Sequence, residues 1–291
     1  MRAPSILKRL LSDPPPRFAF EISESGIAAA RIGSPPEIGF RPLEADVIAV
    51  SPVQDNVQRM DVLTEQVRAL APRGEKKRVR AALILPDHSV RVSVLDFDSF
   101  PSDPKQQLPL VRFRLKKSLP FDLDAAAISY YPQANKGRVD VVVAAAPLEV
   151  LSRYEMPFRA AGFHPGLVTT STLCALEMVR EQGVAVVAKR SSRALTLAVL
   201  DQGVLKLLRS IELSDGGVAE VASHLHPTFA YMEDQFGRLP EEVLTCGFGR
   251  TSDELAAEID RPCVALRSRY GAPDQFNAGL LGYLECLQEV Q

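Results

Sequence analysis

The run FAFEISESGIAAARI, residues 18–32, constrains the fold more than any other stretch of the chain. Two apolar-rich segments, Phe18–Ser23 and Gly26–Ile32, flank Glu24 and Ser25, so the run predicts a strand, a tight turn and a returning strand. A second run of the same kind stands in the other half, where Val184–Lys189 and Ala194–Leu200 lead through Asp201-Gln202-Gly203 into Val204–Ile211. The Asp-Gln-Gly trio reads as a three-residue hairpin loop with its glycine in place. Beyond each hairpin the apolar spacing lengthens to the helical period, at Val57–Leu70 and again at Val218–Phe236. Each half therefore repeats a β-β-β-α theme, with almost no identity between the copies, and the chain reads as a duplicated α/β protein.

Between the halves the pattern changes. Val90–Phe97 alternates as a half-buried strand, and Pro104–Ser118 predicts an amphipathic helix. Its basic residues Arg112, Arg114, Lys116 and Lys117 crowd the negative end of the helix dipole, the ordinary place for a solvated cationic face. Ala127–Tyr131 and Arg138–Ala145 read as a hairpin around Asn135-Lys136-Gly137, and Pro147–Ala161 as a helix stopped by Gly162. Together they form a small α/β module inserted in the first half. Further strands are expected at Val47–Val50, Arg78–Leu85, Val243–Phe248 and Cys263–Leu266, with helices from Thr170 or Ser171, over Ser252–Ile259 and over Gln275–Leu287.

Composition narrows the function. At 291 residues the chain buries a substantial core in two domains. A formal net charge of −2 argues against nucleic acid, which requires a basic face, and the short run Arg73–Arg80 reads as a solvated loop. Cys174, Cys246, Cys263 and Cys286 lack metal-site or disulfide spacing, which favours reduced thiols and the cytoplasm. No apolar run reaches the roughly 20 residues of a membrane-spanning helix, and the first 17 residues lack the pattern of a signal peptide.

Two passages carry a family resemblance. KKSLPFDLDAAAISYYP (116–132) and VVVAAAPLEVLSRYEMPFRAAGFHPGLVTTSTLCALEMV (141–179) resemble the helix-end and strand–helix passages of the PilM family, cytoplasmic actin-like proteins of type IV pilus assembly. The resemblance spans residues 17–287. It implies an actin-like (ribonuclease H-like) two-domain ATPase fold, akin to FtsA, with an inserted SHS2-type α/β subdomain. On that division residues 1–16 form a flexible arm, and 17–89 with 167–182 form the first actin-like subdomain. Residues 90–166 form the insert, 183–273 the second subdomain, and 274–291 a C-terminal helix on the first. The resemblance also implies a protein held at the inner membrane through the cytoplasmic tail of a bitopic PilN-like partner and through other pilus assembly components.

The candidate site follows from the same resemblance. The family's first phosphate turn reads Asp-x-Gly followed by Lys; here those positions hold Glu21, Ser23 and Ala28, with Ser25 and Gly26 completing the turn. In the second hairpin Lys189 and Ser191 replace Asp and Gly. The adenosine loop keeps Gly247 and Gly249 around Phe248, which either blocks a base pocket or fills a core gap. Glycine lets backbone amides approach phosphate and lysine supplies a fixed charge, so the loops read as degenerate. The leading expectation is a non-catalytic scaffold without a cofactor, gripping the partner's tail in the groove between first domain and insert. The alternative is a protein that still binds ATP and magnesium and switches or polymerises with them. A sugar- or acetate-kinase relative is a third reading that no motif demands.

Overall fold

The computed structural model describes residues 7, 14–71, 79–135, 137–180 and 183–288. Most of the N-terminal arm and of the basic run 73–80 lies outside them. Two five-stranded sheets dominate. The first contains β1 (Phe18–Ser23), β2 (Gly26–Arg31), β3 (Glu37–Pro42), β4 (Val79–Leu85) and β8 (Phe163–Thr170), in the order β3-β2-β1-β4-β8. The second contains β9 (Val184–Ser191), β10 (Ala194–Asp201), β11 (Val204–Glu212), β12 (Val243–Cys246) and β13 (Cys263–Ala265), in the order β11-β10-β9-β12-β13. Both sheets run an antiparallel three-strand meander and then add two parallel strands, so the duplication expected from the hairpins is present.

Strand alternation assigns each face. In β1 and β4, Phe18, Phe20, Ile22, Ala81, Leu83 and Leu85 pack under α1 (Met60–Leu70) and α3 (Leu148–Ala160). Ala19, Ala28, Ala30, Ala82 and Ile84 face the other way, against α7 (Ala278–Gln288). The small residues on that face let α7 sit close. Leu7 is buried in the same cluster. In the second sheet Val186, Ala188, Leu195 and Leu197 pack under α5 (Val218–Phe236) and α6 (Thr251–Glu258). Ala185, Val187, Ala198 and Leu200 face inward and share one core with α4 (Ser171–Ala175), α7 and the insert.

The insert is a third sheet, β5-β7-β6, built from β5 (Arg91–Phe97), β6 (Ala126–Asn135) and β7 (Arg138–Pro147), with α2 (Pro104–Leu115) over one face. Val92 and Val142 on its other face join the core of the second sheet. Two buried polar links hold that contact. The Gln133 amide donates to Leu205 O and accepts from Leu205 N, at 2.9 and 3.0 Å, in the manner of a short extra strand on β11. Lys206 Nζ lies 2.5 Å from Asp140 Oδ2.

Several expected elements differ. The strand over 47–50 is only an isolated bridge, Ile48 to Val57. The third strand of the first meander is β3, whose six residues are all exposed and so offer no buried alternation to read. The helix over 147–161, grouped with the insert on sequence, buries Val150, Tyr154 and Phe158 against the first sheet. The Asp-Gln-Gly turn is a two-residue loop, with Gln202 and Gly203 both at positive φ (52° and 78°), the primed geometry that matches strand twist.

Candidate functional site

The two hairpins meet where the inner faces of the sheets approach. Glu21 has the parity of Ala19 and Lys189 that of Ala185 and Val187, so both point inward and both are buried. Glu21 Oε1 accepts a hydrogen bond from Ser171 Oγ, and Oε2 accepts one of 2.7 Å from Leu280 N, in the first turn of α7. An unpaired amide at a helix start is where a carboxylate is best placed. Ala28 stands directly across the ladder from Glu21.

The group that pairs with Lys189 carries no signal in the sequence pattern. Asp87, just after β4, is buried and accepts from Thr172 N and Thr172 Oγ1, each at 2.7 Å. Its Oδ2 also takes a 3.1 Å contact from Lys189 Nζ, which in turn lies 2.5 Å from Ser191 Oγ. Lys189, steadied by Ser191, thus ties the second sheet to Asp87 just after the end of β4 in the first. The side chains of Lys189 and Asp87 are 1% and 2% exposed, so water screens this pair very little.

The titration of the floor follows from burial and this pairing. Burial pushes the Glu21 carboxyl above its ordinary range, and the Lys189 charge, the Ser171 bond and the Leu280 and Gly279 amides recover only part of that. Burial pulls the Lys189 ammonium down, but Asp87 and Glu21 together outweigh it and leave it above its ordinary value. The floor therefore carries a permanent ammonium. Cys246, opposite Lys189 on β12, is pushed up to about 12 by burial and stays a neutral thiol.

The sign of the Glu21 shift makes a prediction. A carboxyl with a raised native pKa costs stability as pH climbs through that value. Glu21→Gln is expected to raise the melting midpoint at neutral pH, with the gain vanishing below the ordinary glutamate value of 4.5. Melting curves at both pH values test this, and a loss of equal size at each pH would contradict it.

The other candidate residues serve the walls. Ser23 Oγ donates to Gly26 O at 3.0 Å and accepts from Gly26 N at 3.2 Å, closing the hairpin on itself. A Cβ on Gly26 would lie 2.4 Å from Arg41 O and 2.5 Å from the Phe40 ring, so glycine is required there by packing. On Gly247, at φ +80°, a Cβ would lie 2.3 Å from Arg190 O. Gln275, which no sequence motif marks, bridges this loop to the second hairpin: its Nε2 donates to Gly247 O at 3.1 Å and its Oε1 accepts from Ser192 N at 3.3 Å. Gly249 turns the chain at φ +54°, and Phe248 is buried in the core under α5 and α6, so it fills a gap there. Above the floor a pocket of about 220 Å³ remains, lined by Ser23, Ser25, Asp87, His88, Ser192 and Glu212 among others. That is below the roughly 300–1,000 Å³ of ordinary ligand sites.

Solved structures place this architecture. A Bacteroides thetaiotaomicron protein described as having an actin-like ATPase fold and unknown function matches 91% of this chain over 94% of its own, at 10% identity and TM-score 0.55. With that match and the duplicated sheets, the chain has the actin-like ATPase fold. A chain of the PilM-PilN type IV pilus biogenesis complex matches more tightly, with TM-score 0.74 over 94% of this chain and 99% of that one, at 16% identity. The cytoplasmic domain of EpsL, an inner membrane component of the type II secretion system of Vibrio cholerae, matches at TM-score 0.54 and 13% identity, over 93% and 94% of the two chains. No family model and no curated protein matches the sequence.

The fold implies ATP and magnesium, and the residues present do not fit them. The carboxylates on the floor are spent on helix amides, on hydroxyls and on Lys189, and a magnesium ion would have to sit beside an ammonium. Among the described residues no cluster of three or more His, Cys, Asp and Glu is placed to hold a metal. No helix there is long and apolar enough to cross a membrane.

Proposed function

We propose that this chain is a non-catalytic scaffold of a type IV pilus or related secretion machine, a protein of PilM type whose nucleotide cleft is closed by its own side chains. It grips the cytoplasmic tail of a bitopic, PilN-like inner-membrane protein in the groove between the first sheet and the SHS2-like insert, and so sits in the cytoplasm against the inner membrane. The observation that carries this reading is the buried Asp87–Lys189 pair, a fixed internal charge at the point where the two hairpins converge. Phosphoryl transfer rests on metal positioning and charge stabilisation, and a lysine already neutralised by aspartate supplies neither. The likeness to a chain of a PilM-PilN complex supports the choice of partner, and strand addition or groove packing needs shape rather than catalytic groups.

Calorimetry tests both halves of the proposal on the same sample. Titration with a peptide of the cytoplasmic tail of the neighbouring single-span membrane protein is expected to give saturable binding. Titration with magnesium-ATP is expected to give no heat of binding. Saturable ATP binding with turnover would replace this reading by that of a working actin-like ATPase. Absence of tail binding at high micromolar peptide would remove the partner.

A further inference from the structure

Phe113 is the most exposed large apolar side chain among the described residues, at 76% of its surface. It stands on α2, where the inward stripe Val111 and Leu115 packs on Phe97, Val141 and Val143 of the insert. The opposite face of the insert's sheet is taken by the second lobe, so α2 turns its outer face away from both actin-like lobes. Leu108, exposed, and Pro109 lie one turn before Phe113, and Phe121 and Leu123 border the same open depression of about 610 Å³.

The charge on α2 itself has one sign, and two acids, Asp122 and Asp124, border the depression beside it. Residues 104–117 carry Lys105, Arg112, Arg114, Lys116 and Lys117 and no carboxylate, in a chain of net charge −2. Arg112 is tied to Asp124, and Arg114 to Asp96 and the Phe97 ring. Lys105, Lys116 and Lys117 make no ion pair among the described residues and remain available to an external anion. The remaining rim acid, Asp122, turns its carboxylate onto the Asp124 amide at 3.0 Å. The helix dipole accounts for cations near the end of α2 but not for a phenylalanine standing in water beside them.

We infer that the outer face of α2 is a membrane contact, in which Phe113 and Leu108 enter the interfacial layer of an anionic bilayer and Lys105, Lys116 and Lys117 meet its phosphates. Apolar side chains at the centre with lysine and arginine around them are the composition of interfacial anchors, and lysine stems reach outward to headgroups. A side chain this exposed, at the lip of an open depression, suits a deformable acyl layer better than the fixed surface of an acidic protein. Contact of this kind would orient the insert toward the membrane independently of any tail.

Co-sedimentation of the full chain with vesicles tests this. Vesicles containing about a quarter phosphatidylglycerol in phosphatidylethanolamine are expected to carry the protein down at low salt and to release it as salt rises. Pure phosphatidylcholine vesicles are expected to leave it in solution. Phe113→Ser is expected to weaken binding about tenfold, and Lys116→Glu with Lys117→Glu by about tenfold or more. All three side chains are exposed, so circular dichroism should show the fold unchanged. Failure of the wild type to bind the anionic vesicles overturns the inference, as does equal binding by wild type and variants. A third arm uses a labelled helical peptide of leucine and glutamate. If that peptide binds in a Phe113-dependent way and vesicles do not, the face belongs to an acidic protein partner and the membrane contact is wrong. Tail binding is read from a different face and a different titration, so either result stands without the other.

Discussion

Lys189→Met should lower the melting midpoint of this protein by on the order of 10 °C. Removing one member of a buried ion pair costs about 3–5 kcal/mol, because the partner is left charged without compensation, and each kcal/mol is worth roughly 2–4 °C in a chain of this size. Here the abandoned group is Asp87, whose side chain is only 2% exposed and is therefore poorly solvated. Methionine fits the volume, so the loss reports charge more than packing. Adding Asp87→Asn should recover much of it: asparagine keeps an acceptor for the Thr172 amide, 2.7 Å away in the wild type, and removes the stranded charge. Such a cycle isolates the pair. The pH dependence gives a second check. The native ammonium titrates above its ordinary value of 10.5, so its contribution is intact at neutral pH and fades only as pH rises through that raised value. The gap between wild type and Lys189→Met should therefore be flat across the neutral range and close only in strong alkali. A variant that melts within about one degree of the wild type would show that the pair does not hold the lobes together.

Half of this floor is legible in the linear sequence. Alternation in β1 places Glu21 with Ala19, and alternation in β9 places Lys189 with Val187, so the period of two by itself assigns both to sheet faces. What those faces meet is not legible. Asp87, Ser171, Thr172 and the Leu280 amide lie on the β4–β5 connection, α4 and α7, at separations of 85 to 259 residues from their partners. No local spacing announces such a contact. Asp87 stands in Pro-Asp-His-Ser, which reads as a turn, and Thr172 in a stretch that reads as an ordinary helix start. The same limit explains β3: Glu37–Pro42 carries a glycine, a closing proline and no buried side, so only its pairing with β2 makes it a strand. By contrast Phe248 could be read two ways because a large apolar residue between glycines suits a pocket plug or a core filler. Its neighbours under α5 and α6 decide for the core.

The last helix holds a signal of close packing that is visible in the sequence. Gly279 and Gly282 are three apart in the mostly apolar helix Ala278–Gln288, and helical glycines lose about 1 kcal/mol each against alanine unless a neighbour needs the space. The neighbour is α4. A Cβ on Gly282 would lie 2.1 Å from Cys174 O, 2.5 Å from its carbonyl carbon and 2.9 Å from Ala175 Cα. These are backbone atoms of a buried helix, and no rotamer change relieves them. Gly282→Ala must push α7 off α4, which draws the Leu280 amide away from Glu21 and loosens the packing of Tyr283 in the shared core. Overpacking of this kind costs typically about 1–3 kcal/mol, and a backbone clash at contact distance belongs at or above the upper end. The helix-propensity gain of about 1 kcal/mol opposes it and is too small to win. Gly39→Ala is the matched control, since a Cβ there meets nothing within 4 Å and the change should be close to neutral. Urea titrations should therefore show Gly282→Ala unfolding well before the wild type, with the buried thiols of Cys174 and Cys286 reacting at correspondingly lower denaturant. If Gly282→Ala is instead as stable as Gly39→Ala, α7 has room to spare against α4. Glu21 would then be held by its bond to Ser171 rather than by the start of that helix.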